Sequence, residues 1–148
     1  MTALMAMGCG SSAPVMGEAQ ARELDEYAQT LISEAVEYLD ENGRDSAVER
    51  YNDPASVDGA WYVFIMEERN GALYAEATPT RPDLAGTTGE FVDANGFDYG
   101  EAFTRITEDG GGAWVSYLFT HPLTGDDAPK RSWVVRRGDL LVGTGWYE

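Results

Sequence analysis

The strand predicted at residues 61–66 is apolar on both of its faces, and this constrains the fold strongly. Successive side chains of a strand point to opposite sides of a sheet. One side here carries Trp61, Val63 and Ile65, and the other carries Tyr62, Phe64 and Met66. In the strand predicted at 113–120, Trp114 and Leu118 oppose Val115, Tyr117 and Phe119. A sheet with one solvated face would alternate apolar and polar residues, so both faces of this sheet must be covered.

A long amphipathic helix is predicted to cover one face. Apolar residues recur at three- and four-residue spacing, and they are Leu24, Tyr27, Ala28, Leu31, Ile32, Ala35, Tyr38 and Leu39. Asn42-Gly43 should end this helix, because glycine tolerates the left-handed conformation common at helix ends. Asp45 is predicted to cap a short second helix that runs through Tyr51.

Turn signals place the remaining elements. Residues 61–77 are predicted to form a hairpin around Asn70-Gly71. Three further strands are predicted at 113–120, 130–137 and 139–147. The irregular segment 78–112, with a short helix from Tyr99 to Glu108, is left to cover the second face, and a sheet covered by loops is a common setting for a ligand cavity. A long helix followed by a mostly antiparallel five-strand meander makes an α+β domain.

Residues 1–17 are predicted to lie outside this domain, which then spans residues 18–148. The first fourteen residues are small and apolar and then Ser/Gly-rich, like the end of a secretion signal. Cys9 follows Ala6-Met7-Gly8, as in a bacterial lipoprotein cleavage site where the cysteine becomes lipidated. The alternative is an N-terminal tail with an incidental free cysteine.

The composition excludes several classes of partner and of chemistry. A formal charge of -16 opposes binding to nucleic acid or to an anionic membrane surface. No apolar run approaches the ~18 residues of a membrane-spanning helix, so membrane contact is expected only through a lipid on Cys9. One histidine, one cysteine and no paired nucleophile and base argue against a catalytic triad or a zinc site. We therefore expect no enzyme activity, no cofactor and no metal.

A series of short motifs runs in order along residues 20–147. They are Glu34-Ala-Val-Glu-Tyr-Leu-Asp-Glu-Asn-Gly43, Tyr62-Val-Phe-Ile65, Asn70-Gly71, Asp83-Leu-Ala-Gly86, Asp93-Ala-Asn-Gly-Phe97, Trp114-Val-Ser-Tyr117, His121-Pro122, Pro129-Lys-Arg-Ser-Trp-Val134 and Gly143-Thr-Gly-Trp-Tyr147. In this order they resemble the single Cache domain, in its second Cache-type variety, a family of extracytoplasmic sensor domains of chemoreceptors and histidine kinases.

The resemblance implies a PAS-like α+β fold, with a long N-terminal helix packed on a five-stranded antiparallel sheet and a loop-covered pocket. It also implies binding of a small organic molecule, often a short carboxylate such as acetate, propionate, pyruvate or lactate. Two departures from the family pattern are visible. Family members usually have flanking transmembrane helices and a signalling module, whereas this sequence stops at Glu148, so a membrane receptor or kinase partner is expected. Where the family often has Ala-His-Pro, this chain reads Ala75-Glu-Ala-Thr-Pro79.

Lys130, the only lysine, is the best candidate for a ligand-binding residue. A carboxylate buried among aromatic side chains needs a cation and hydrogen-bond donors. Lysine supplies a compact charge with three donors, and Tyr62, Tyr117 and Trp133 are predicted to add neutral ones. The predicted ligand-binding set is Lys130, Tyr62, Phe64, Trp114, Tyr117 and Trp133. The alternative is that Lys130 pairs with Asp126 or Asp127 at an exposed turn.

The sequence thus predicts an extracytoplasmic domain, periplasmic or at the cell surface, that captures a small organic acid. The main alternative is a ligand-free structural or interaction protein that docks on a membrane receptor or an envelope partner. A hydrolase on the same scaffold is a third hypothesis, because fold does not fix function. A collapsed cavity would favour the interaction protein, and carboxylates converging in the cavity would favour the enzyme.

Overall fold

The computed structural model describes residues 17–148 and builds them from one long helix, two short helices and one sheet. The helices are α1 (Glu18–Asn42), α2 (Arg44–Asn52) and α3 (Tyr99–Thr104). The strands are β1 (Phe64–Arg69), β2 (Ala72–Ala77), β3 (Ala113–Thr120), β4 (Asp127–Arg137) and β5 (Leu140–Tyr147). No helix within residues 17–148 is both long enough and apolar enough to cross a membrane.

The five strands form one sheet in the order β2-β1-β5-β4-β3, and every neighbouring pair is antiparallel. The predicted α+β fold with a five-stranded antiparallel sheet is therefore confirmed. The predicted meander is wrong, because β5 lies at the centre of the sheet and pairs with β1 on one side and β4 on the other. Sequence-local turn signals do not report this long-range pairing.

Each face of the sheet packs against a different part of the chain, as the apolar alternation predicted. We call the side that contacts α1 the helix face. Its buried cluster consists of Ile32, Ala35, Val36, Leu39, Ala47, Tyr51, Val63, Ile65, Ala77, Leu140 and Val142. The opposite side, the loop face, lies under residues 78–112, which we call the roof. Its buried cluster consists of Tyr62, Phe64, Met66, Leu73, Ala75, Phe91, Tyr99, Phe103, Ile106, Val115, Tyr117, Val134 and Leu141.

The turn predictions agree with the structure at two positions and fail at a third. Asn70 and Gly71 join β1 to β2 with positive φ angles of 52° and 81°, the conformation that a two-residue hairpin turn of type I′ requires. Helix α1 ends at Asn42, as predicted. Asp45 does not cap α2, because that helix already begins at Arg44 with Gly43 before it, and Asp45 lies within the first turn.

Several element boundaries also differ from prediction. Strand β1 spans Phe64–Arg69 rather than residues 61–66. Strand β4 begins at Asp127 rather than at Lys130, since residues 127–129 pair with the end of β3. Its early start was missed because proline usually interrupts a strand ladder. Helix α3 ends at Thr104, and Glu108 starts a separate 3₁₀ turn.

Arg136 and Asp93 are among the side chains that fasten the roof to the sheet; Arg81 and Thr88 also hydrogen-bond to strand residues. Arg136 donates from Nε to the Ile106 carbonyl oxygen (2.5 Å) and from Nη2 to the Thr104 carbonyl oxygen (3.1 Å). Asp93 accepts a hydrogen bond from the Leu118 amide of β3 (2.9 Å), besides two from amides of its own turn. These three amide donors, the Leu118 amide first, lower the pKa of Asp93. The roof is therefore held over the loop face at Asp93 and at Thr104 and Ile106.

Candidate functional site

A cavity of about 30 Å³ lies between the loop face and the roof. Its lining consists of Tyr62, Phe64, Met66, Ala75, Thr78, Thr80, Leu84, Phe91, Tyr99, Phe103, Tyr117, Phe119 and Lys130. Lys130 is the charged residue in this lining, and the lining contains no carboxylate. The arrangement is an apolar, aromatic chamber with one cation, which suits a small anion with an apolar body.

Lys130 is fully withdrawn from solvent, with 1% of its surface exposed. It points to the loop face from β4, and its Nζ donates a hydrogen bond to the Tyr62 hydroxyl (2.9 Å). Aromatic rings surround the ammonium group, with the ring centroids of Tyr62, Phe64 and Phe119 at 4.4, 4.8 and 5.1 Å from Nζ. Cation–π attraction offsets part of the cost of burying this charge.

No carboxylate within residues 17–148 forms an ion pair with Lys130. The alternative of a surface pair with Asp126 or Asp127 is therefore not what the structure shows. One of the three ammonium donors is used by Tyr62. Burying a charge without a counterion costs free energy. Binding of an anion beside the Lys130 ammonium group would offset that cost.

Hydroxyl groups extend from the ammonium group in two directions. The Tyr62 and Tyr147 hydroxyls lie 3.0 Å apart, and Tyr147 donates to the Thr120 carbonyl oxygen (2.8 Å). Deeper in the sheet, the Tyr117 hydroxyl lies 3.0 Å from Ser132 Oγ. Thr80 Oγ1, in the cavity lining, is buried and has no hydrogen-bond partner in the part of the chain that the structure describes. It lies close enough to the Tyr62 hydroxyl to help lower the Tyr62 pKa, and the arrangement leaves it available to a bound molecule.

The tyrosine that bonds to Lys130 has a lowered pKa, whereas the other tyrosines around the cavity have raised pKa values. Burial opposes ionisation of Tyr62, but the Lys130 charge and hydrogen bond outweigh it and lower the Tyr62 pKa. Burial raises the pKa of Tyr117 well above its usual value and raises the pKa of Tyr99 to about 12. Burial likewise raises the pKa of Tyr147. Of these four tyrosines, only Tyr62, which accepts the Lys130 hydrogen bond, has a lowered pKa.

The structure brings four of the six predicted ligand-binding residues together and separates the other two. Lys130, Tyr62, Phe64 and Tyr117 line the cavity. Trp114 and Trp133 are cross-strand partners on the helix face, with ring centroids 5.1 Å apart. Side chains an odd number of positions apart in one strand point to opposite sides, so Trp133 cannot accompany Lys130, nor Trp114 accompany Tyr117.

Several cavity residues were not predicted. Those from the sheet are Met66, Ala75 and Phe119, and the adjoining hydroxyl network adds Tyr147; those from the roof are Thr78, Thr80, Leu84, Phe91, Tyr99 and Phe103. Strand alternation alone would have found Phe119, which lies two positions after Tyr117. The roof residues carry no such signal, because an irregular segment has no period.

Glu76, which stands where the family often has histidine, lies away from the cavity. Its carboxylate pairs with Arg69 (2.8 Å) and Arg44 (3.3 Å). Arg44 also binds Glu67 (2.9 Å), and this hydrogen bond lowers the pKa of Glu67. Glu76 therefore belongs to an ion-pair cluster at the α2 end of the sheet and not to the cavity.

Directly behind Lys130, on the helix face, Asp25 of α1 accepts three hydrogen bonds. Arg131 donates from Nε (3.0 Å) and Nη2 (3.1 Å), and Trp146 donates from Nε1 (2.9 Å). Burial works against the ionised form of Asp25, but these donors and the Arg131 charge outweigh it and lower the Asp25 pKa below its ordinary value of 3.8.

This lowered pKa predicts a pH dependence of stability. The ionised form is favoured by folding, so its contribution is fully present above 3.8 and is lost as pH falls through the folded-state pKa. Urea unfolding of wild type and of Asp25→Asn should show a stability difference that is constant near neutral pH and shrinks below pH 3.8. A difference that persists unchanged into that acid range would show that the charge of Asp25 does not carry the contact.

Solved structures with the same architecture include chemotaxis proteins and a chemosensory domain. One, described as the periplasmic sensor domain of a chemotaxis protein, is 25% identical, with a TM-score of 0.64 over 88% of this chain and 94% of that chain. A methyl-accepting chemotaxis protein from Vibrio parahaemolyticus RIMD 2210633 is 20% identical, with a TM-score of 0.68 over 88% of this chain and 89% of that chain.

A third solved structure is described by the words "Structural basis for carboxylic acid recognition by a Cache chemosensory domain". It is 18% identical, with a TM-score of 0.66 over 87% of this chain and 93% of that chain.

No protein-family model matches the chain, and no curated protein matches it. Cys9 and its predicted lipidation lie outside the residues that the structure describes. The chain has the fold of a single Cache-type sensor domain, as the order of its sequence motifs predicted.

Proposed function

We propose that this chain is an extracytoplasmic sensor-type domain that captures a short-chain carboxylate in the cavity at Lys130. The observation that carries the proposal is the Lys130 ammonium group, which is 1% exposed and has no carboxylate partner within residues 17–148. A carboxylate there would supply the missing counterion and accept the remaining ammonium donors. Thr80 Oγ1 offers a second polar contact.

The size of the cavity limits the ligand. At about 30 Å³ it is far below the roughly 300–1,000 Å³ typical of pockets for drug-sized ligands. A molecule of a few non-hydrogen atoms, such as acetate or propionate, is the class that suits this space. The aromatic lining favours a short apolar chain over a second charged group, because a second carboxylate would find no second cation among the lining residues.

Access to the cavity lies on the roof side. An open groove of about 320 Å³ adjoins the cavity, and Leu84, Phe91, Tyr99 and Phe119 line both spaces. These four side chains form the wall between solvent and Lys130. A ligand therefore enters by displacing part of this wall, which shifts the population of roof conformations toward the ligand-bound one.

The solved structures support the location, the partner and the ligand class in this proposal. Two of them are chemotaxis proteins, and one of these is described as a periplasmic sensor domain, which supports an extracytoplasmic location and a membrane receptor or kinase as partner. The third is described as recognising a carboxylic acid. The lipid anchor at Cys9 remains part of the proposal, with mass spectrometry of protein from native membranes as its test.

One observation favours the second candidate, a ligand-free interaction protein. The cavity is small enough to count as nearly collapsed. The uncompensated charge of Lys130 argues against the ligand-free protein, because a buried cation lowers stability unless a bound anion offsets its cost. The hydrolase hypothesis has less support, since no carboxylate lines the cavity to act as acid or base.

A thermal-shift comparison of acetate with acetamide tests the proposal. The two molecules have nearly the same shape, and only acetate carries a charge. A ligand at about one hundred times its Kd stabilises a protein by about 2.7 kcal/mol, which raises the Tm of a domain of this size by several degrees. We expect this rise with acetate or propionate at constant ionic strength, and no rise with acetamide.

The same screen includes pyruvate, lactate and succinate. Equal shifts with acetate and acetamide would contradict charge recognition by Lys130. No shift with any compound, measured also by isothermal titration calorimetry, would favour the ligand-free interaction protein.

A further inference from the structure

Two adjacent cross-strand pairs of β4 and β5 connect the cavity to α1 through the sheet. Lys130 pairs with Tyr147, and the next residues inward, Arg131 and Trp146, pair with each other. Because side chains alternate along a strand, the first pair lies on the loop face and the second on the helix face. The first pair belongs to the cavity network, through Tyr62. The second pair holds Asp25 of α1.

The Asp25 contact joins the beginning of α1 to the sheet. Arg131 binds both carboxylate oxygens of Asp25, at 3.0 and 3.1 Å, and Trp146 Nε1 binds one of them at 2.9 Å. Bidentate arginine–carboxylate pairs fix geometry as well as distance. None of residues 18–24 is buried, and the first buried residue of α1 is Ala28. The position of this end of the helix therefore depends on the contact of Asp25 with Arg131 and Trp146, together with the ring contact between Tyr27 and Trp61 (4.6 Å).

We propose that Asp25 couples occupancy of the cavity to the position of the first turns of α1. An anion bound to Lys130 would restrain the Lys130–Tyr147 pair, and the same short backbone segments carry Arg131 and Trp146. Restraining one face of these segments favours the ordered contact on the other face, so coupling is positive. The identity of the anion rests on the proposed function, whereas the mechanical link does not.

Linkage is reciprocal, so breaking the Asp25 contact must weaken ligand binding on the other side of the sheet. Asp25→Asn should raise the Kd for acetate by about fivefold or more, measured by calorimetry, although Asp25 does not line the cavity. Asp40→Asn is the matched control, because Asp40 also lies on α1 and faces Arg137 of β4 at 3.6 Å. It removes the same charge from the same helix and should leave the Kd unchanged.

Hydrogen exchange measures the link from the other direction. Saturating acetate should slow exchange of the backbone amides of residues 22–28 in wild type and in Asp40→Asn, but not in Asp25→Asn. Equal Kd values for the two aspartate variants, or protection of residues 22–28 that survives Asp25→Asn, would overturn the proposal.

A ligand-free comparison separates this proposal from the proposed function. Tyr147→Phe removes one hydroxyl from the cavity side and leaves the Arg131, Trp146 and Asp25 side chains in place. We expect faster exchange at residues 22–28 without any ligand. If acetate fails to bind wild type, the proposed function fails while this comparison still decides the coupling. Unchanged exchange in Tyr147→Phe would refute the link through the sheet.

Discussion

Lys130→Met should weaken carboxylate binding by roughly 30-fold or more and at the same time make the ligand-free protein more stable. Methionine has a similar length but no charge, so it fills the aromatic chamber without the cost of an unpaired buried cation. Replacing buried ionic groups with apolar ones of similar volume stabilises proteins by about 1–4 kcal/mol in favourable cases. Removing one partner of a buried, hydrogen-bonded charge pair costs binding about 2–5 kcal/mol, which corresponds to roughly 30-fold or greater loss of affinity.

Urea unfolding of ligand-free protein and calorimetric titration with acetate measure the two effects separately. Arg105→Met is the control, because it removes the same charge from a side chain that is 77% exposed. That variant should change neither stability nor affinity appreciably. A destabilised Lys130→Met protein would mean that the hydrogen bond to Tyr62 is structural, and retained binding would mean that the ligand is not held by charge.

Gly145→Ala should destabilise the fold by about 3 kcal/mol or more, a large part of the ~5–15 kcal/mol that stabilises a typical domain. A Cβ atom at this position would lie 2.3 Å from the Arg131 carbonyl oxygen and 2.6 Å from Ser132 Oγ. The closer obstacle is backbone of the neighbouring strand, in the middle of the sheet, so it cannot move aside as a flexible side chain would.

Chemical denaturation of Gly145→Ala beside Gly17→Ala tests this expectation. A Cβ at Gly17 would meet no atom within 4 Å, so that variant should lose less than about 1 kcal/mol, the usual cost of alanine at a helix N-cap. Similar stabilities of the two variants would show that β4 and β5 can separate locally without cost.

The faces of the sheet were predictable from the sequence because their cause is local. Alternation within residues 61–66 separated Tyr62 from Val63, and alternation within residues 113–120 separated Tyr117 from Trp114; the structure agrees in both strands. The same rule excludes Trp133 as a companion of Lys130. Both tryptophans were included in the predicted site for their chemistry rather than their position in the strand.

The remainder of the site depends on contacts between distant parts of the chain. Lys130 is buried because Tyr62, Tyr147 and the roof close around it, and no window of sequence contains all three. The position of the Thr80 hydroxyl could not be predicted either, because it depends on how the irregular roof packs against the sheet. Sequence patterns report periodic burial, and neither feature is periodic.

The central place of β5 has a consequence for how the protein is made. Phe64 near the first hairpin pairs with Gly143 near the far end of the chain, so the sheet cannot close until β5 has been synthesised. Until then, β1 and β4 each present an unpaired apolar edge, which is a template for association with other chains. Pairings of such high contact order also form slowly, typically in milliseconds to seconds. A nascent chain paused before β5 therefore depends on chaperones or on rapid completion to avoid aggregation.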